Sequence, residues 1–251
     1  MLDWKFIGNT ILKCASGIPE TAILVIVTLI VSTPIAYLMA LVNLKPKRIL
    51  SRVFQVYISF VRSLPLLLII YLIYHALPLW ILSFGNFIGK EIDVYEIDDM
   101  VYGFIVFAFV SIPILSEVFR AGLLAVPEIQ IKAGQSIGMT NFQVARHIVL
   151  PQVIDKQLPM LCTFTTNLIK MTSLAFCMSI REITGEARVA AADSIRYVEC
   201  YLVIFFMYLI ICLAVEQIFK AFERNNQKKK EGNWSKNYAG NTRTQKIVSG
   251  T

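Results

Sequence analysis

The sequence predicts an all-α membrane protein, a polytopic helix bundle with about five transmembrane helices and one long loop that carries helices of its own. Its 251 residues are 56% hydrophobic and only 16% charged, whereas soluble domains average about 45–50% apolar and about 25% charged residues. Apolar runs long enough to cross a bilayer recur along the chain, without the alternation of a β-barrel. Helices are the expected spanning element, because a helix satisfies its own backbone groups.

The chain divides into three predicted parts. Residues 1–20 are mixed in composition, with apolar positions at helical spacing, which predicts a short segment lying at the membrane interface. Residues 21–222 form the membrane domain. Residues 223–251 are basic and polar, a composition that predicts a disordered tail. The apolar runs that define the spans are 21–42, 53–77, 100–116 with an extension to about 120, 158–180, and 200–215 with an extension towards 222.

The loops differ in charge, and this difference predicts the orientation. The loop after the first run is basic, the loop at 83–99 is acidic, and the loop at 122–157 and the tail are basic. Because basic loops stay in the cytoplasm, the N-terminus is expected outside and the C-terminus inside. The loop at 181–199 is balanced in charge. The net charge of +7 is spread over loops and tail, which argues against a nucleic-acid-binding face.

The loop at 122–157 has the local signals of two short helices separated by a glycine. Gly138 can end the first helix in a left-handed conformation. Thr140 can cap the second, and Gln143 three residues later completes a capping box. Such a polar unit is either an ordinary connector or a docking element for another protein, and its length alone favours a connector.

This loop resembles the EAA loop of binding-protein-dependent ABC importer permeases. That motif reads E-A-A-x-x-x-G, then nine residues, then I-x-L-P. In this sequence Lys132 stands where the motif usually has Glu, which reverses the charge, and the closing I-x-L-P is matched in full. The positions that correspond to the motif are Lys132, Ala133, Gly134, Gly138, Leu150 and Pro151.

The resemblance extends over about residues 17–224. The segments 60–67, 116–122 and 169–174 are similar to signatures of the polar-amino-acid branch, which includes histidine, glutamine, arginine and cystine permeases. The resemblance implies a type I importer fold in a bacterial cytoplasmic membrane. It implies the permease subunit of an ATP-driven, binding-protein-dependent importer of polar amino acids.

The same resemblance implies the partners. The loop would form a coupling helix that seats in a groove of a separate ATP-binding subunit, and an extracytoplasmic solute-binding protein would deliver the amino acid. The chain would form a homodimer or pair with a homologous permease. It is not expected to be an enzyme or to bind a cofactor, since ATP and magnesium belong to the ATPase. Neither His75 nor His147 has a metal or catalytic motif around it.

Polar residues inside the apolar runs are the candidates for the translocation path. A charge at the bilayer centre costs about 2.5–3.5 kcal/mol on insertion scales, so it needs a partner or a wet cavity. Lys170 either lines the path, forms an internal salt bridge or extends its amine to the interface. Arg62 precedes Pro65, where a helix break is plausible. The path candidates are Lys170, Asn167, Thr172, Ser173 and Arg62.

Glu117 and Arg120 lie three residues apart, so a structural ion pair on one helix face is favoured.

A stand-alone secondary transporter or channel for small polar solutes is the alternative function. It would need more spans or inverted repeats, and no internal repeat is visible in the sequence.

Overall fold

The computed structural model describes residues 3–44, 49–90, 93–94, 96–192 and 195–248, with side chains through Lys228. Throughout these residues the chain is built from helices. The helices are α1 Trp4–Ser16, α2 Ile18–Asn43, α3 Ile49–Ser63, α4 Leu66–Phe87, α5 Asp99–Leu124, α6 Glu128–Ser136, α7 Asn141–Val144, a π-helical turn Ala145–Val149, α8 Leu150–Met171, a 3₁₀ helix Thr172–Met178, α9 Ile183–Ala192 and α10 Tyr197–Val248.

Four helical stretches in the described residues are long and apolar enough to cross a membrane. They are Trp4–Asn43, Leu66–Phe87, Asp99–Leu124 and Tyr197–Lys228. The remaining predicted run, 158–180, falls in α8 and the 3₁₀ helix. Helix α8 has 22 residues, or about 33 Å at 1.5 Å per residue, which matches a hydrocarbon core of about 30 Å. Its charged and polar residues together lower its hydropathy, so apolar composition alone does not select it.

The first predicted run begins earlier than the sequence indicates. The boundary expected at residue 21 falls inside α2, and α1 joins α2 at Gly17. Helix α1 packs against α9 and α10. A Cβ at Gly17 would lie 2.6 Å from the carbonyl carbon of Glu182, so only glycine allows this approach. An interfacial position for α1 stays a prediction.

The most extensive helix–helix contact joins α2 and α5. Helix α2 presents small buried residues at every fourth position, which places them in one stripe and lets the two backbones come close. These residues are Thr28, Ser32, Ala36 and Ala40. The largest buried side chains around this contact include Phe107 and Leu115 of α5 and Leu24 of α2. The core of the bundle therefore lies along the α2–α5 pair.

The second predicted run, 53–77, is two helices rather than one. Helix α3 ends at Ser63 and α4 begins at Leu66, with Pro65 as its N-cap in an extended conformation, φ −59° and ψ 132°. The break suggested by Pro65 is therefore present. Proline has no N–H to donate and disfavours helical geometry at the residue before it, so the chain can start a helix there but not continue one.

The connection from α8 to α10 is fixed by one buried carboxylate. Glu182 Oε2 accepts hydrogen bonds from the Thr184 amide at 2.8 Å and the Tyr208 hydroxyl at 2.7 Å. Its Oε1 accepts from the Gly185 amide at 3.0 Å. Burial raises the pKa of the Glu182 carboxyl above its usual range. The first turn of α9 is thereby capped and joined to α10.

The backbone of α10 is helical through Val248, into the stretch for which composition predicts disorder from residue 223. The described part of this stretch contains Glu, Gln, Lys and Arg, which are good helix formers, so a helical backbone is compatible with its composition. Disorder of the tail in solution stays a prediction.

Candidate translocation path and docking loop

The loop between α5 and α8 adopts the helix–glycine–helix form that its sequence predicts. Helix α6 ends at Ser136, and Gly138 takes a φ of +87°, a conformation that glycine adopts most readily. The Thr140 hydroxyl accepts from the Gln143 amide at 3.3 Å, and the Gln143 side chain accepts from the Thr140 amide at 2.8 Å. These two bonds form the predicted capping box.

The second half of the loop continues directly into the bundle. Helix α7, the π-helical turn and α8 follow one another without a break, and Pro151 lies in the first turn of α8. Pro151 therefore lies inside the continuous helix and not at a boundary between the loop and the span. Pro151 has no backbone N–H, so one hydrogen bond of the regular helix is missing there. The wider π-helical turn just before Pro151 accommodates this missing bond.

Three contacts hold the loop against the ends of α5 and α8. The Lys156 amine donates to the Ala125 carbonyl at 2.6 Å. The Gln152 amide donates to the Gln130 side-chain oxygen at 2.6 Å. Gly134 is buried, and a Cβ there would lie 2.8 Å from the Ile148 side chain. The loop is therefore a rigid extension of the helices that it connects.

The opposite side of α6 presents apolar residues to the exterior. Ile129 is 73% exposed and Ile137 is 79% exposed, and Ala133 lies between them at the same four-residue spacing. Phe142, from α7, is 71% exposed. We call Ile129, Ala133, Ile137 and Phe142 the outer face of the loop. Exposed apolar residues grouped in this way mark interaction surfaces.

The residues of the motif thus occupy different places. Lys132 lies beside the outer face and forms an exposed ion pair with Glu128 at 3.2 Å. Ala133 is on the outer face and Gly134 on the buried side of the same helix, and Gly138 makes the turn. Leu150 is half-buried and Pro151 exposed at the base of α8. The motif therefore combines exposed residues of α6 with the buried and turn residues that position them.

A polar surface runs along α3 and α5. The α3 residues on it recur at helical spacing and are Arg52, Gln55, Ser59 and Arg62. On α5, Arg120 and Glu117 form an ion pair at 3.1 Å. A cleft of about 520 Å³ is lined by both helices, including Arg62, Glu117 and Arg120. The structure therefore brings Arg62 next to the Glu117–Arg120 pair, which sequence spacing did not indicate.

Helix α8 carries a second polar surface. Its exposed polar residues share one helix face and are Lys156, Thr163, Asn167 and Lys170, which we call the polar ridge. Among the described residues, no carboxylate lies within 4.0 Å of the Lys170 amine. Met160 and Met171 of α8 line a cleft of about 600 Å³ together with Arg62 and Glu117. Asn167 lies seven residues after Met160 and four before Met171, so the polar ridge lies beside the α8 wall of this cleft.

Two of the candidate path residues lie away from this ridge. Thr172 is fully buried and donates to the Ile169 carbonyl at 2.6 Å. Ser173 is half-buried and donates to the Lys170 carbonyl at 2.7 Å. Both belong to the 3₁₀ helix that follows α8. Residues two apart lie on nearly opposite sides of a helix, so Thr172 points away from the face that Asn167 and Lys170 share.

Charged residues of α10 were missed by sequence reasoning. Glu216, Lys220 and Glu223 lie beside α8 and line a cleft with it. Their spacing of four and three residues places them on one helix face. The signal was present, because an apolar run that ends in charges at helical spacing predicts a polar face rather than a simple end of the span.

Comparisons with known proteins identify the family. Residues 32–228 match the family described as binding-protein-dependent transport system inner membrane component. The probable amino-acid permease protein YxeN of Bacillus subtilis (strain 168) is 28% identical over 89% of this chain and 95% of that protein. The octopine transport system permease protein OccM of Rhizobium radiobacter is 31% identical over 88% of this chain and 89% of that protein.

Solved structures share the fold. The crystal structure of an amino acid ABC transporter with histidines has a TM-score of 0.73 at 24% identity, over 90% of this chain and 99% of that chain. A bacterial ABC transporter involved in the import of the acidic polysaccharide alginate has a TM-score of 0.69 at 12% identity, over 90% of this chain and 84% of that chain. The helix bundle, the loop and the matched residues 32–228 lead to one conclusion: the chain belongs to the inner membrane components of binding-protein-dependent transport systems.

Proposed function

We propose that this chain is the permease subunit of an ATP-driven importer of polar amino acids. The observation that carries the proposal is a membrane-spanning bundle that exposes both a polar groove and an apolar outer face on a rigid loop. Relatives named as amino-acid and octopine permeases support the substrate class. Membership of a multi-component transport family argues against the alternative of a stand-alone transporter.

The groove between α3, α5 and α8 is the proposed path. Exposed charges inside a membrane domain are costly unless water or a solute meets them. Arg62 and Lys170 form no ion pair in the described part of the chain, so both can attract the carboxylate of a passing amino acid. The Glu117 carboxylate is already paired with Arg120, so this ion pair has a structural role at the wall of the groove.

The outer face of the loop is the proposed contact with an ATP-binding subunit. The energy source is ATP bound with magnesium on that partner, and this chain performs no hydrolysis. The apolar residues Ile129, Ile137 and Phe142 would be covered in the complex, which removes a patch that is otherwise exposed. ATP binding would move the docked loops and change the side to which the groove opens.

The remaining features of the proposal concern assembly and orientation. A groove that is open along one side of the bundle would be closed by a second copy or a homologous permease. The loop and the tail would lie in the cytoplasm, with the N-terminus outside. An extracytoplasmic binding protein would deliver the solute on the side of the acidic loop that precedes α5.

Cysteine crosslinking tests the docking. Ala133→Cys is introduced into a chain whose five native cysteines are replaced, and the co-expressed ATPase carries single cysteines along its surface groove. We expect a crosslink that changes in yield when ATP is added. Gln135→Cys is the matched control, because Gln135 lies on the same helix and is exposed but two residues away, on another face.

An inserted, folded chain that gives no crosslink from Ala133, Ile129 or Ile137 would exclude this loop as the ATPase contact. If Gln135→Cys gave the same crosslink yield as Ala133→Cys, the crosslinks would reflect random collision of the two proteins rather than a defined interface.

A further inference from the structure

We propose that a cleft between α1 and α10 binds an anionic phospholipid, with one acyl chain in the cleft and the headgroup beside two lysines of α1. The cleft has a volume of about 360 Å³. It is lined by Trp4, Ile7 and Ile11 of α1 and by five apolar side chains of α10 between Leu202 and Ile210. We call it the α1 cleft. Lipid binding here requires only the membrane setting of the chain, whichever solute is transported.

Helix α1 is held at both ends against the segment that precedes α10. At its start, the Asp3 carboxylate pairs with Arg196 at 3.3 Å, and the Arg196 guanidinium lies 6.0 Å from the centre of the Phe6 ring. At its end, the backbone of Gly17 packs against that of Glu182, with no room for a Cβ. Helix α1 therefore forms a fixed wall of the α1 cleft.

The position of the α1 cleft along α10 corresponds to one leaflet of a bilayer. The apolar run of α10 begins at Cys200, and the lining residues from Leu202 to Ile210 lie about 3–15 Å beyond it at 1.5 Å per residue. Half of a hydrocarbon core of about 30 Å is about 15 Å. All eight lining side chains are apolar, so a polar solute would lose its hydrogen bonds there, whereas an acyl chain has none to lose.

The exposed face of α1 supplies positive charge for the headgroup. Lys5, Asn9 and Lys13 are exposed and recur at four-residue spacing, which places them on one side of the helix. Neither lysine has a carboxylate within 4.0 Å in the described part of the chain. The Asp3 carboxylate, although close in sequence, pairs with Arg196 instead. Both amines can therefore attract the phosphate of a lipid that lies beside α1.

Trp4 adds a third feature of a lipid contact. Its side chain lines the α1 cleft and is still 75% exposed. Tryptophan is enriched at the headgroup level of membranes, because its ring is apolar and its indole N–H is polar. A helix with lysines on one side and apolar residues on the other is drawn to anionic lipids at this level. One phospholipid can therefore meet both sides of α1, with a chain in the cleft and its phosphate near the lysines.

The test measures how strongly a brominated acyl chain, which quenches on contact, reduces the fluorescence of Trp4. Of the three tryptophans of the chain, Trp80 and Trp234 are replaced by Phe. The full-length chain is placed in phosphatidylcholine nanodiscs with increasing fractions of dibrominated phosphatidylglycerol or dibrominated phosphatidylcholine. We expect phosphatidylglycerol to quench Trp4 at an about fivefold lower fraction, since one lysine near an anionic surface contributes about that factor to binding.

Trp80 is the matched control, because it is 73% exposed on α4 and lies outside the α1 cleft. A chain with Trp80 as its single tryptophan should be quenched equally by the two lipids. Lys5→Gln combined with Lys13→Gln should remove the preference at Trp4. Lys5→Arg combined with Lys13→Arg should retain it, because both charges are kept. Lys90→Gln, which removes an exposed lysine far from α1 in the sequence, should leave the preference unchanged.

Three results would overturn lipid binding at the α1 cleft. Equal quenching of Trp4 by the two lipids would show that no anionic lipid is selected there. A preference that persists in the double glutamine variant would exclude Lys5 and Lys13 as contacts of the headgroup. Trp4 fluorescence that neither lipid quenches would show that a second copy or another protein covers the cleft. None of these results bears on uptake of an amino acid, so the proposed transport function is tested separately.

Discussion

Among single residues, Glu182 links the stability of the fold to pH. Its carboxyl group is completely buried, and three donors from α9 and α10 satisfy it. Burial in low dielectric favours the neutral form of an acid, whereas the three hydrogen bonds favour the ionised form. Burial has the larger effect and raises the pKa, so the folded protein binds this proton more tightly than the unfolded chain does.

The raised pKa of Glu182 predicts that the stability of the folded chain depends on pH. The stabilising contribution of the proton is complete below the ordinary pKa of 4.5 and is lost as the pH rises through the raised value. We expect the Tm of the detergent-solubilised chain to fall as the pH rises above 4.5, and Glu182→Gln to reduce that fall. The exposed Glu96→Gln should retain the slope of the parent chain. An unchanged slope in Glu182→Gln would contradict the assignment.

Neighbouring residues in the sequence can differ completely in position, as Lys170 and Thr172 do. The sequence groups them because both are polar in one apolar run. The structure exposes Lys170 and buries Thr172, because residues two apart lie on nearly opposite sides of a helix. Composition identified the polar segment, and helical spacing decides which of its residues lie on the polar ridge.

At the scale of an element, the turn at Gly138 can be tested against a matched glycine. Gly138 and Gly89 both have positive φ, +87° and +69°, and neither has an atom within 4 Å of an added Cβ. Alanine at either position should cost about 1 kcal/mol because of the left-handed conformation. We expect only Gly138→Ala to lower the yield of the ATPase crosslink from Ala133, as only Gly138 orients α6 and α7.

The measurement is denaturation of each variant combined with the crosslinking assay. Equal crosslinking in Gly138→Ala and Gly89→Ala would show that the turn does not position the outer face.

The helices themselves differed in how well the sequence predicts them. The capping box at Thr140 and the break at Pro65 are local signals, because the residues that make the contacts are close in sequence, and both are present. The start of α2 at Ile18 and the packing of α1 on α9 depend on a contact between Gly17 and Glu182. That contact spans most of the chain, so hydropathy and spacing could not reveal it.

For the molecule as a whole, the distribution of polar surface predicts where water reaches. Asn167 lies on the polar ridge, whereas Leu68 is 57% exposed on α4 with apolar neighbours in sequence. In a chain without its native cysteines, we expect Asn167→Cys to react with a water-soluble maleimide in membranes and Leu68→Cys to react at least tenfold more slowly, because thiolates form and react in water rather than in lipid. Total labelling after denaturation is the control for expression.

Equal labelling of the two positions would mean that the polar ridge does not face an aqueous groove. Slow labelling of both, with rapid labelling once a second copy is removed, would place the ridge at a dry contact between copies.

From Asn141 to Met171 the chain is one continuous helical rod, about 46 Å long at 1.5 Å per residue. One end of this rod carries Phe142 of the outer face, and the other end carries Lys170 of the polar ridge. A displacement of the loop would therefore be transmitted to the groove along this single rod. Bending at the π-helical turn Ala145–Val149 would absorb part of that displacement, so the stiffness of the turn would set how much of the motion reaches Lys170.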